Sequence, residues 1–193
     1  VLFRSVNNVV GQNTSLDIQN SYFSEFTGNI FLAYSPISMN DLVGVVTSFS
    51  YNEFLGATLS YDSSYIGSFQ LNILKNGASI DRNGGLPFVG QIYNNNIQNG
   101  AVIYLLSANI TGIYNNSLSN DSTLNLDSSI VGYIYDNNIS SASTLDFSGG
   151  TILGDCKSNV CSASNISLVR CNIASDFSNN EFVSGSRSEE HTS

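Results

Sequence analysis

The chain has 193 residues, 41% of them hydrophobic and only 11% charged, and its 15 acidic against six basic residues leave a net charge of −9. That length can bury a sizeable core, and so apolar and weakly charged a composition excludes a disordered polyelectrolyte. The negative balance argues against nucleic acid or an anionic membrane as partner, and no apolar run reaches the ~18 residues a bilayer-spanning helix needs.

The chain opens with VLFRS, and this stretch has a counterpart at the other end. One codon choice for Arg187 to His191 is AGA TCG GAA GAG CAC; its reverse complement, GTG CTC TTC CGA TCT, encodes Val1 to Ser5. Protein chemistry gives no reason for complementary ends, and the nucleotides resemble a sequencing-library adapter. Residues 1–5 and 187–193 are therefore expected to be adapter-derived scars that pack poorly, and residues 6–186 carry the fold. His191, the only histidine, then drops out with Glu189 and Glu190 as an acid–base or metal cluster.

From Val6 the chain repeats itself around an asparagine. Asn8 is followed by Val10, Leu16 and Ile18. Asn29 lies between Phe23 and Phe26 on one side and Phe31, Ile37 and Met39 on the other. Asn52 has Val46 and Phe49 before it, then Phe54, Leu59 and Tyr61. Asn72 has Ile66 and Phe69, then Leu74, Ile80 and Arg82, the one break in the apolar column. Asn95 has Val89 and Ile92, then Ile97, Ile103 and Leu105. Asn116 has Ile110 and Ile113, then Leu118, Leu124 and Leu126. Asn137 has Val131 and Ile134, then Ile139, Leu145 and Phe147. Asn159 has Ile152 and Cys156, then Cys161, Ile166 and Leu168. Asn180 has Ile173 and Phe177, then Phe182. The intervals between the asparagines are 21, 23, 20, 23, 21, 21, 22 and 21 residues.

Within each repeat apolar and polar residues alternate over three to five positions, which is the period of a strand. Gly, Ser, Asn and Asp fill the gaps. Three short strands per repeat of about 21 residues leave no room for a helical crossover, so the predicted fold is all-β: a single-stranded, right-handed parallel β-helix. With rungs about 4.8 Å apart, nine motifs make a rod roughly 40 Å long, open at both ends. The asparagines are expected at a corner in the left-handed backbone conformation, stacked as a hydrogen-bonded ladder with a structural role.

Other positions are read against this frame. Cys156 and Cys161 replace the two inward residues around Asn159, where a disulfide or two buried thiols both fit. Asp155 and Asp176 share an outward column on adjacent rungs, a candidate calcium site or glycosidase pair that is more commonly a solvated face. Tyr93, Tyr114 and Tyr135 stand two residues before successive ladder asparagines, with Asn94, Asn115 and Asp136 between. They predict an outward strip of phenol rings edged by amides and a carboxylate, a candidate sugar-binding surface. Sequons at Asn13, Asn109, Asn115, Asn120, Asn138 and Asn165 would suit a secreted glycoprotein. No phosphate-cradling loop or nucleophile triad is present.

Four segments, FTGN at Phe26–Asn29, FSYN at Phe49–Asn52, FQLN at Phe69–Asn72 and FSNN at Phe177–Asn180, together with NGAVIY at Asn99–Tyr104, resemble the Phe-x-x-Asn and Gly-Gly-Ala-Ile repeats of polymorphic outer-membrane proteins and autotransporter-like adhesins. The resemblance implies a secreted or cell-surface rod that serves as a spacer or adhesion surface, with carbohydrate or a host or cell-surface protein as partner and no resident cofactor. The alternative is a fragment of a pectate-lyase-like polysaccharide-active enzyme whose catalytic site is missing or unrecognised. Such sites resemble calcium-holding acidic clusters beside a basic residue, for which Arg82 next to Asp81 is the best candidate in residues 6–186.

Overall fold

Runs of alternating apolar and polar residues, cut every few positions by Asn, Gly, Ser or Asp, permit only short strands, and short strands are what form. The computed structural model describes residues 2–19, 22–40, 45–61, 65–82, 88–183 and 187–191. Among the described residues there are 29 strands and no helix, and hence none long and apolar enough to cross a membrane. A representative coil has a long strand, Phe88–Tyr93, leading to the asparagine, a short strand, Asn96–Gln98, just beyond it, and a return strand, Val102–Tyr104.

Each strand pairs in parallel with its equivalent one coil on: Val89 with Ile110 and Tyr93 with Tyr114, Ile97 with Leu118, Ile103 with Leu124. Carried along the rod, this gives three parallel sheets of eleven, nine and nine strands, wound as a right-handed β-helix of about 21 residues per coil. The first sheet has the higher count because its long strand is split in two in the coils containing Thr151–Lys157 and Asn172–Ser178.

The inward columns read from the sequence form one continuous core, with Val46, Phe49, Phe54, Ile92, Ile97, Ile113, Leu118, Ile134 and Ile139 all at most 2% exposed. In the second to fourth coils the core is aromatic. Phe49 lies between Phe26 and Phe69 with ring centroids 4.8 and 5.0 Å away, and Phe31 stacks on Phe54 at 4.9 Å. From Ile92 to Cys161 the same columns are aliphatic or sulfur-bearing, and Phe177 and Phe182 follow in the last coil. Cys156 and Cys161 are both buried, and the Asn159 amide donates to the Cys156 sulfur at 3.7 Å.

The asparagine ladder runs from Asn8 to Asn180. In each step the backbone N–H and the side-chain Nδ2 of one asparagine both donate to the Oδ1 of the next: Asn95 to Asn116 at 3.1 and 3.0 Å, Asn116 to Asn137 at 3.0 and 3.0 Å. The spare Nδ2 hydrogen goes back to a main-chain carbonyl of the preceding coil, as from Asn116 to Ile92. Asn29 through Asn159 are buried, and each amide finds the partners that burial requires.

The left-handed corner, expected at the ladder asparagine, lies one residue earlier. The positive φ belongs to Asn7, Gly28, Tyr51, Leu71, Asn94, Asn115, Asp136, Ser158 and Asn179, at 53–69°. The physical reason is direction: the ladder side chain must point inward to reach its neighbour, whereas the left-handed residue turns its side chain to solvent. Tyr51 and Leu71 accept a conformation that costs an ordinary residue about 1–2 kcal/mol. The ladder therefore enforces the corner, and local preference only follows.

A second buried column went unread in the sequence. Ser35, Ala57, Ala78, Ala101, Ser122, Ser143 and Ser164 precede the return strands and are at most 3% exposed. Ser122 donates to the Ile97 carbonyl at 2.9 Å and shares a 3.2 Å hydrogen bond with Ser143. Only small residues fit so tight a corner, and a hydroxyl there satisfies a carbonyl that alanine leaves to the backbone.

At the two ends, Leu2–Val6 pairs with Tyr22–Thr27 and Arg187–His191 with Asn165–Val169. An open sheet edge accepts any extended strand, so this pairing is independent of the origin of those codons. The side chain of Arg82 lies outside the described residues.

Candidate functional site

The outer face of the first sheet carries two columns, four and two residues before each ladder asparagine. Read from the middle of the rod toward its C-terminal end, the first is Ser48, Ser68, Gln91, Gly112 and Tyr133. The second is Ser50, Gln70, Tyr93, Tyr114, Tyr135 and Lys157. Strand alternation puts both columns outward, and the in-register pairing of consecutive coils stacks them.

Tyr93, Tyr114 and Tyr135 come together as the sequence predicted, with ring centroids 4.9 and 5.0 Å apart and planes within 8° of parallel. At that distance parallel rings overlap, so each covers part of its neighbour's face. The strip consequently presents ring edges and a row of phenol oxygens, a different surface from the open ring faces its sequence suggests. Asn94, Asn115 and Asp136 lie beside it, exposed at the left-handed corner.

Three residues not singled out in the sequence complete the surface. Tyr133 is tilted by 39° against Tyr114 and 31° against Tyr135, so it is the one ring of the four without a parallel neighbour. Its ring lies over Gly112, where an added methyl would overlap Cε2 and Cζ. Gln91, two rungs away, donates from Nε2 to the Tyr133 hydroxyl at 3.1 Å and accepts from the Tyr114 hydroxyl at 3.2 Å. The signal was available in the YIY of Tyr133–Tyr135, whose alternation puts both tyrosines on one face.

Partial burial, then the neighbouring phenols Tyr93, Tyr135 and Tyr133, push the Tyr114 hydroxyl above its ordinary value. Burial, then Tyr133 and Asp136, does the same for Tyr135. Both phenols stay neutral in ordinary buffers and keep their hydrogens for donation.

At the C-terminal edge of this platform, the Lys157 ammonium meets the Asp155 carboxylate at 2.8 Å, and the Ser175 hydroxyl donates to Asp155 at 2.8 Å. The hydrogen bond from Lys157 holds the Asp155 carboxyl below its usual range, and the same bond raises the Lys157 ammonium. Asp176 accepts from the Ser178 hydroxyl at 2.6 Å. Both proposed calcium ligands are thus engaged within the chain, and no group of three or more metal-ligating side chains occurs among the described residues. The ladder asparagines, all pointing inward, are separated from this face by the sheet itself.

No family model, curated protein or solved structure matches the chain.

Proposed function

We propose that the chain is a non-catalytic β-helix rod whose tyrosine platform contacts glycans, as part of a secreted or surface adhesin-like protein of the kind its Phe-x-x-Asn repeats resemble. One observation carries the reading: four half-exposed tyrosines gathered on one outer face, two of them tied to a single glutamine. The core is continuous without them, and exposed phenols beside amides offer both donors and apolar edges to a polyhydroxylated ligand.

The alternative, a polysaccharide-cleaving site, asks for a group that takes a proton near neutral pH. Lys157 is the cation beside the platform, and its ion pair with Asp155 keeps it protonated. That favours binding over cleavage.

A glycan array comparing the parent with Tyr114→Ala, both checked for β-sheet circular dichroism, tests the proposal. The expected result is a glycan class retained by the parent and lost by the variant. A parent that binds no sugar, or a variant that binds equally well, overturns it.

A further inference from the structure

We infer that the ligand of this platform is a neutral, extended polysaccharide lying along the rod axis, and that uronate polymers are disfavoured there by charge. The inference rests on the glycan reading above and specifies it. Two observations carry it: the spacing of the donors and the sign of the charges around them.

The spacing comes from the fold. Gln70, Tyr93, Tyr114, Tyr135 and Lys157 are stacked one per rung in a single column, and the tyrosine rings repeat at 4.9 and 5.0 Å. An extended (1→4)-β-linked pyranose chain advances by about one strand spacing per sugar. A chain laid along the column therefore meets a hydrogen-bonding side chain at about each residue over the four steps from Gln70 to Lys157. A chain laid across the column meets one rung only.

The charges come from the sequence. Toward the N-terminal end the platform borders Ser48, Ser50, Ser68 and Gln70, all uncharged. Toward the C-terminal end stand Asp136, Asp155 and Asp176, against Lys157 alone. Lys157 is paired with Asp155 and also faces Asp176 and Asp136, so one positive charge stands against three negative ones beside the strip. A (1→4)-β-linked uronate chain in the same register would carry a carboxylate at every sugar, and those over the C-terminal rungs would lie within a Debye length of these aspartates. A neutral chain meets no such field, and the carboxylates can accept from its hydroxyls.

The test is calorimetric titration of the intact chain with neutral (1→4)-β-glucan oligomers and with (1→4)-β-glucuronate oligomers of matched length, from disaccharide to octasaccharide. Neutral oligomers are expected to bind with affinity that rises with length until the column from Gln70 to Lys157 is covered. The glucuronate oligomers are expected to bind several-fold more weakly at low salt, the gap narrowing as added salt shortens the Debye length. Asp136→Asn combined with Asp176→Asn should narrow the gap without salt; asparagine already occupies the equivalent left-handed corner at Asn94 and Asn115. Equal or tighter uronate binding overturns the charge selectivity while leaving the glycan reading intact. Affinity that stops rising beyond a disaccharide overturns the axial placement. Binding of neither class overturns this inference, and the glycan array above then decides whether the glycan reading stands without it.

Discussion

Two aromatic stacks share the first sheet and never share a strand. Phe26, Phe49 and Phe69 are stacked inside the second to fourth coils, and the residues that follow them outward are Thr27, Ser50 and Gln70. Tyr93, Tyr114 and Tyr135 are stacked outside the next three coils, and the residues before them, inward, are Ile92, Ile113 and Ile134. Ring spacing is the same in both, 4.8–5.0 Å, because strand pitch sets it on either face. Burial differs completely, and burial decides what a ring does. The inner stack fills a core that no other residue fills. The outer stack lies on a sheet whose core is already closed by isoleucine, so its rings are available to something else.

The largest expected effect tests that division directly. Phe49→Ala should cost about 3–5 kcal/mol, because its ring is 1% exposed and the coils above and below hold the cavity open. Tyr114→Ala removes three outward ring contacts, at roughly 0.2–1 kcal/mol for each, and the half-exposed hydrogen bond to Gln91. Urea unfolding midpoints of the two variants, measured side by side, give the comparison. Equal losses would mean that the tyrosine strip is part of the structural framework and not a surface set aside for binding.

Next in size is a contrast between two adjacent asparagines. Asn116→Ala strands the backbone N–H and Nδ2 of Asn95 in a buried corner and should cost about 3 kcal/mol. Asn115→Ala leaves the ladder whole and loses only a residue suited to positive φ, about 1 kcal/mol. Thermal midpoints of the pair measure the difference, and a reversed order would place the corner's stability in its backbone conformation instead of the ladder.

That pair also marks how far the sequence could be read. The coil was legible because every rung repeats the same inward and outward demands, so Phe26, Phe49 and Phe69 or Ile92, Ile113 and Ile134 recur at one interval. The left-handed position was not, because Asn, Gly, Tyr, Leu, Asp and Ser all occupy it, and a varied column leaves no periodic trace. The tyrosine strip was legible as a column, but the hydrogen bond from Gln91 to Tyr133 was not. It spans 42 residues and two rungs, and it exists only because the intervening residue, Gly112, has no side chain. Nor did the spacing of Asp155 and Asp176 reveal that Lys157, two positions along the same face, would already hold one of them.

Gly112 supplies a smaller and sharper test. In Gly112→Ala the new methyl meets Tyr133 ring atoms at the far end of a movable side chain, so the ring should swing away at a cost of no more than about 1 kcal/mol. The phenylalanine stack is untouched by this change. The expected outcome is an unfolding midpoint close to the parent's, loss of the Gln91–Tyr133 hydrogen bond, and weaker glycan binding. A large drop in stability would show that the two stacks are coupled through the sheet.

The smallest expected effect uses protons. The phenols of Tyr114 and Tyr135 titrate above the ordinary tyrosine value of about 10, chiefly through partial burial. A folded-state pKa above the unfolded one means that the folded chain binds protons more tightly, so this contribution is complete below pH about 10 and is lost as pH rises through the folded value. The phenylalanine stack has nothing to titrate. Alkaline unfolding should therefore begin at the outer face, with stability falling above pH about 10. Tyr114→Phe should flatten that fall, because it keeps a ring in the stack and removes one of the raised phenols. Denaturation midpoints of parent and variant across the alkaline range check it. Parallel pH profiles for the two proteins would mean that the strip's neutral hydroxyls contribute nothing to the fold, and that the two aromatic stacks differ even more than their burial requires.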